Sequence, residues 1–288
     1  MRFGTLRTGE GLRAVMQLED RLVDVNATEP ELPNEVGSLL AVRPDALRRL
    51  GDLAARGNVV DMPYDPASLA PAVASPGKVF CIGKNYAEHV EELGGEAAGT
   101  RPEVFMRART SLCGPFEDVL RPRVSEQVDY EVELAVVIGR PGRHIAEDSA
   151  MDHVGGYCVF NDVSIRDYQL AAQQWTPGKN FDRTGPLGPF VVTPDEVPDP
   201  HGLELSAAVD GEVLQRSTTG MLVRRIPELI AYLSSFATLE PGDVIATGTP
   251  GGVGLARTPP RWLRPGESLS SAISVLGEMR NRVAQEPG

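Results

Sequence analysis

The chain has 288 residues, 41% of them hydrophobic, and a formal net charge of -12 at neutral pH. That length and apolar content can fill a sizeable core, while an acidic balance with no run of Lys and Arg excludes nucleic acid and anionic membrane surfaces as partners. Cys81, Cys113 and Cys158 have no metal-type spacing and sit in apolar or mixed stretches, so they read as reduced thiols that behave as small hydrophobes.

In chain order, the opening MRFGTLRTGEG lacks the apolar core of a signal peptide. No apolar run approaches the ~20 residues of a membrane span, so the expected compartment is the cytoplasm and the expected partner a small molecule. GLRAVMQLED and RLVDVN alternate like short strands, and DALRRLGDLAAR has helical spacing. These pieces predict a small N-terminal domain over residues 1–70, ahead of a larger unit over 71–288. The boundary lies in PYDPASLAPAVASPG, where four prolines disfavour both helix and central strand.

KVFCIGKNY predicts a buried strand, AEHVEELGG a helical turn or two closed by Gly94-Gly95, and EAAGTRP a mobile stretch. Short strands follow through to Ile138. EDSAMDHVGG predicts a short helix leading into the strand YCVFND, and SIRDYQLAAQQW predicts another helix. LSAAVDGEVLQRS forms two alternating arms around Asp210-Gly211, a hairpin signal. Pro227 suits the first turn of a helix through ELIAYLSSF, and LEPGDVIATG reads as turn then strand. Many strands with few, separated helices predict a β-rich α+β fold.

The chemistry concentrates in VDYEVELAVVIG. On a strand Asp129, Glu131 and Glu133 share one face. Two carboxylates ~6.8 Å apart along a strand can converge on one hard cation, although the same pattern fits a wet acidic face. The apolar run from Ala135 to Ile138 carries the strand into a buried layer, where unpaired carboxylates are costly. Asp162, at the end of YCVFND, is a candidate third ligand. In AEHVEE, His89 and Glu92 are i, i+3 neighbours, and a carboxylate beside an imidazole raises its basicity; an incidental surface pair has the same spacing. Lys179, in QWTPGKNFD, could supply charge to an anionic substrate or simply be solvated. GTPGGVG lacks the Lys-Ser or Lys-Thr of a phosphate loop, and no G-x-S-x-G elbow occurs. Its glycines can still let a backbone approach a ligand closely.

Six segments, IGKNYAEHVEE, PEVFMRARTSLCGP, VDYEVELAVVIG, GGYCVFNDVSIRDYQ, WTPGKNFDRTGPLGP and GDVIATGTPGGVG, stand in an order and spacing that resembles the fumarylacetoacetate hydrolase family over residues 76–285. The first 70 residues match only loosely. The resemblance implies a mixed, rolled β-sandwich, usually a homodimer, with a divalent cation, most often magnesium or manganese. It implies Glu131, Glu133 and Asp162 as metal ligands and His89 and Glu92 as a water-activating pair on a lid over Lys84 to Gly95. Lys179 is the third implied catalytic residue, and Gln169, Arg166, Gly248 and Thr249 are the implied substrate contacts. Arg107 joins them at a position where many members have lysine, and its planar fork differs from a lysine's point charge.

The implied reaction is metal-dependent hydrolytic cleavage of a carbon-carbon bond in a small anionic β-dicarbonyl acid, an acylpyruvate or a fumarylacetoacetate-like compound. Decarboxylation of an oxaloacetate-like acid or isomerisation of a hydroxydienoate in aromatic catabolism would use the same site. A ligand-binding scaffold without catalysis is the reading from another class.

Overall fold

Val132–Ile138 is apolar at every position except Glu133, and a strand of that composition needs cover on both faces. In the computed structural model, which describes residues 1–63, 65–92 and 101–288, all of it is buried. Leu134, Val136 and Ile138 enter one core, shared with Leu229, Ile230 and Leu233 of helix Ile226–Phe236. Ala135 and Val137 face a second core, shared with Phe3, Val36 and Leu39.

This strand lies inside an eleven-stranded sheet. Its path runs Asp61–Met62, Arg21–Asp24, Gly11–Leu18, Arg2–Thr8, Gly185–Val192, Val154–Asn161, Val132–Ile138, Val244–Ala246, Val79–Gly83 and Glu103–Arg107, with Leu112–Cys113 beside Gly185–Val192. Most neighbours are antiparallel; Val244–Ala246 runs parallel to Val79–Gly83. A five-stranded sheet, in the order Glu212–Thr218, Glu204–Val209, Ser268–Ile273, Gly277–Gln285 and Val119–Arg121, stacks on it. Leu205, Val209, Leu269 and Met279 of the smaller sheet pack with Leu134, Val136 and Val159 of the larger. The result is the expected β-rich α+β sandwich. Among the described residues no helix is long and apolar enough to cross a membrane.

Two expectations change. The boundary near residue 70 is not a break in the sheet: Arg2–Thr8 pairs with Gly185–Val192, so the N-terminal strands extend the central sheet and share its second core with Val79, Cys81 and Cys158. Gly139 permits this junction, since a Cβ there would come within 2.6 Å of Gly155 Cα and 3.0 Å of Leu40 O. The helical run expected from Ser164 is shorter than predicted. Ser164–Ile165 is a strand, and the helix spans only Arg166–Leu170. EDSAMDHVGG forms the 3-10 helix Glu147–His153, while Pro44–Ala55 and the hairpin at Asp210-Gly211 fall where expected. The expected closure at Gly94-Gly95 and most of the EAAGTRP stretch lie outside the described residues.

Ile138→Ala should lower unfolding free energy by about 2–5 kcal/mol, because it leaves a cavity under the Ile226–Phe236 helix. Leu12→Ala, on a side chain 41% exposed, should change it by less than about 0.5 kcal/mol. Urea denaturation of both variants checks the pair.

Candidate active site

The predicted continuous strand breaks after Asp129, and the break builds the site. Val128–Asp129 pairs with Ser164–Ile165 in a separate two-stranded sheet, and the main strand resumes at Val132. At the junction side-chain amides replace ladder partners. Glu131 N donates to Asn161 Oδ1 at 2.9 Å and Val132 N to Gln215 Oε1 at 3.0 Å, while Asp162 N donates to Glu131 O at 2.8 Å. Glu131, Glu133 and Asp162 are thereby drawn together: one carboxylate oxygen from each lies within 4.8 Å of the others, and all three residues are buried. Asp129, expected on the same face, is turned away by the break. It accepts from Gly254 N at 2.7 Å and Leu255 N at 2.9 Å, and pairs with Arg166 at 2.8 Å.

Three cations hold these acids. Lys179 Nζ reaches Glu131 Oε2 at 2.7 Å and Asp162 Oδ2 at 2.6 Å, and lies over the Phe105 ring. Arg166 lies 2.7 Å from Glu131 Oε1 and donates to Gln169 Oε1 at 2.8 Å. Arg107 does not reach the cavity where a substrate contact was expected. Its buried guanidinium bonds Asp162 Oδ1 from behind, with Thr184 Oγ1 at 2.5 Å and Ser111 Oγ at 3.1 Å. A rigid fork of donors suits that task better than a lysine's point charge. Gly248 likewise stands behind the acids. Its N–H donates to Glu133 Oε2 at 2.8 Å. Its φ of +104° disfavours any side chain, and a Cβ at this position would come within 2.8 Å of Asn85 Cβ.

Four carboxylates (Asp129, Glu131, Glu133, Asp162) thus face three cations (Arg107, Arg166, Lys179) in a buried cluster, a formal surplus of one negative charge when every carboxyl is ionised. Burial alone would raise the Glu131 carboxyl, but Lys179 and then Arg166 outweigh it and hold it down at about 2. Burial pushes Glu133 well above the usual carboxylate range, and the charges of Asp162 and Glu131 push it further. Burial would also lower the Lys179 ammonium, yet Asp162 and Glu131 keep it above its ordinary value. An all-oxygen donor set with surplus negative charge fits a hard divalent cation, and each bonded carboxylate oxygen retains a second lone pair for it.

The triad lines a cavity of about 260 Å³ with His89, Arg166, Gln169, Lys179 and Thr249. His89 and Glu92 stand on the helix Ala87–Glu92, where His89 Nδ1 lies 2.9 Å from Glu92 Oε1. The far oxygen of Glu92 accepts from Gly252 N at 2.7 Å, and Ser217 Oγ donates to Glu88 Oε1 at 2.6 Å, so the helix is docked over the cavity. Thr249 Oγ1 donates to Val132 O at 2.9 Å. Sequence reasoning missed Gln215, whose buried amide joins Val132 N, Thr249 Oγ1 and Pro250 O. Its only trace in sequence was a polar position on a hairpin arm. Trp175 and Phe105, also on the cavity wall, pack edge to face at 5.5 Å.

Three buried carboxylates converge on one side of a small cavity that an imidazole also lines, an arrangement that can hold a divalent cation beside a titratable base. The chain belongs to the fumarylacetoacetate hydrolase family: residues 78–284 match the family model described as fumarylacetoacetate (FAA) hydrolase, C-terminal. It is 41% identical over 267 residues to the mitochondrial oxaloacetate tautomerase Fahd2a of Rattus norvegicus, covering 91% of this chain and 83% of the relative. Among solved structures it resembles fumarylacetoacetate hydrolase from Exiguobacterium antarcticum (TM-score 0.83, 31% identity, 99% and 100% of the two chains). It also resembles maleylpyruvate hydrolase from Sphingobium sp. SYK-6 in complex with manganese(II) and pyruvate (TM-score 0.80, 30% identity, 100% of both chains).

The two glutamates pull stability in opposite directions with pH. Glu131, at about 2 when folded against an ordinary 4.5, contributes stability that is complete above 4.5 and lost as pH falls toward 2. Glu133, raised on folding, contributes stability present below its ordinary 4.5 and lost as pH rises through its folded value. Glu133→Gln should therefore raise the Tm of metal-free protein at pH 7 while lowering Mn²⁺ affinity at least about tenfold. Thermal scans in chelator and calorimetric Mn²⁺ titration read the two effects; a lower Tm with Mn²⁺ affinity intact would remove Glu133 from the site.

Proposed function

We propose that this chain is a divalent-metal-dependent enzyme that moves a proton beside the oxo group of a small 2-oxo acid, and that its reaction is keto-enol interconversion of an oxaloacetate-like acid. The observation that carries this reading is the His89–Glu92 pair on the wall of the cavity that the carboxylate triad also lines. A divalent cation held by Glu131, Glu133 and Asp162 would supply Lewis-acid charge to the oxo acid. The chain's own groups do the rest. With Glu92 accepting at Nδ1, the proton sits there and the Nε2 lone pair is the base. Nε2 takes a proton from the carbon next to the oxo group and returns it to oxygen, and the reverse path uses the same atom. Lys179 and Arg166 offset the negative charge of the acid. The docked helix and the aromatic wall of Phe105 and Trp175 keep bulk water out. The 41% identity to a relative named as an oxaloacetate tautomerase supports this choice of acid.

A second reading has its own support. The same Nε2 can take a proton from water, and the hydroxide formed would cleave an acylpyruvate between its two carbonyl groups. Two of the similar solved structures are named as hydrolases, one of fumarylacetoacetate and one of maleylpyruvate.

Ultraviolet absorbance of the enol, followed with Mn²⁺ present, separates the readings. Faster equilibration of oxaloacetate is expected, and His89→Gln should slow it by at least about 100-fold with Mn²⁺ binding retained. Cleavage of acetylpyruvate without any effect on oxaloacetate would establish the second reading instead, and full activity of the His89→Gln variant would refute the base assignment in both.

A further inference from the structure

The cavity wall carries a cation that proton transfer does not use. Among the described residues Arg166, Lys179 and Lys84 line the cavity. Arg166 and Lys179 are buried and tied to buried carboxylates. Lys84 is different: its Nζ bonds Glu103 Oε1 at 2.8 Å, and the two side chains are 37% and 44% exposed. An ion pair this exposed contributes little stability and exchanges partners at small cost.

Lys84 stands where the cavity meets an adjoining recess of about 430 Å³, lined by Glu103, Gln173 and Gln174 as well as by Lys84, Phe105 and Trp175. Ile82, Phe105, Leu170 and Trp175 supply the apolar part of the cavity lining. A carboxylate at the far end of a bound acid would lose part of its hydration against those side chains, and Lys84 is the cation of the lining free to exchange partners toward it. The backbone also holds Lys84 in a costly place. Its φ of 56° lies in the left-handed region, which a residue with a Cβ rarely adopts. Asn85 fixes that conformation, with Nδ2 donating to Thr247 O at 2.8 Å and Arg224 O at 3.0 Å, and Oδ1 accepting from Arg224 N at 2.8 Å.

We propose that Lys84 determines specificity: it leaves Glu103 to bind a second, distal carboxylate of the substrate, so that the site prefers oxo dicarboxylates over oxo acids with neutral tails. The proposal rests on the oxo-acid reading above and adds to it the residue that selects the second carboxylate. The distal carboxylate gains one charge-assisted hydrogen bond, and the lost surface ion pair offsets little of it.

Calorimetric titration of the Mn²⁺-loaded protein with 2-oxoglutarate and 2-oxopentanoate tests it, because these five-carbon acids differ only in the distal carboxylate. The dicarboxylate should bind about tenfold tighter. Lys84→Met should bring the ratio of the two affinities close to one, Lys84→Arg should keep it, and Glu103→Gln, which frees the ammonium, should widen it. Equal affinities in the parent protein, or a ratio that survives Lys84→Met, would overturn the proposal and leave the oxo-acid reading standing. Binding of neither acid to Mn²⁺-loaded protein would overturn both.

Discussion

Carboxylates whose oxygens lie within 4.8 Å of one another in a buried pocket repel, and the fold has to hold them there. Lys179 answers most of that repulsion, since one ammonium bridges Glu131 and Asp162. Arg107 and Arg166 brace the outer oxygens of the same two acids. Glu133 receives a backbone N–H and, among the described residues, no cation within ion-pair distance. Burial and its two acidic neighbours favour a proton on this carboxyl, and a divalent cation would displace that proton and turn the whole cluster positive. A cavity floor that turns positive on binding metal is suited to an anionic substrate.

The rest of the architecture serves that arrangement. The strand carrying Glu133 separates two cores, so its backbone is clamped from both faces. The interruption at Tyr130 and Glu131 costs ladder hydrogen bonds, and the amides of Asn161 and Gln215 replace them. Asn161 is itself held by donating to Ser271 Oγ of the smaller sheet at 2.8 Å, so both layers of the sandwich fix the position of the acids. Helix Ala87–Glu92 brings the His89 imidazole to the cavity wall without joining either core extensively. Its side-chain anchors are polar, through Glu88 and Glu92, and such anchors can release and re-form as a lid moves.

Much of this was legible in the sequence where periodicity and local chemistry agree. The apolar run after Glu133 announced a buried central strand, and the Asp210-Gly211 hairpin and the Pro44–Ala55 helix followed from local signals. The carboxylate triad was legible from strand alternation together with the family pattern. The strand break was not, because Tyr130 and Glu131 continue the alternation and the groups that interrupt it, Asn161 and Gln215, are distant in sequence. Gly185–Val192, a central strand, contains Pro186, Gly188 and Pro189 and so carries the signature of a loop. The placement of Arg107 and Gly248 behind the acids also depended on tertiary structure: a motif brings a residue to a site without saying which side of the ligand it occupies. The continuity of the N-terminal strands with the main sheet rests on pairing between residues as far apart as Arg2 and Val192, which local patterns do not encode.

The central claim is that the surplus negative charge of the Glu131, Glu133 and Asp162 cluster holds one divalent cation. Anomalous diffraction from a crystal soaked in Mn²⁺ tests it most directly. A single strong peak bounded by one oxygen from each of the three carboxylates is the predicted result. A peak elsewhere, or none among these residues at saturating Mn²⁺, would contradict it.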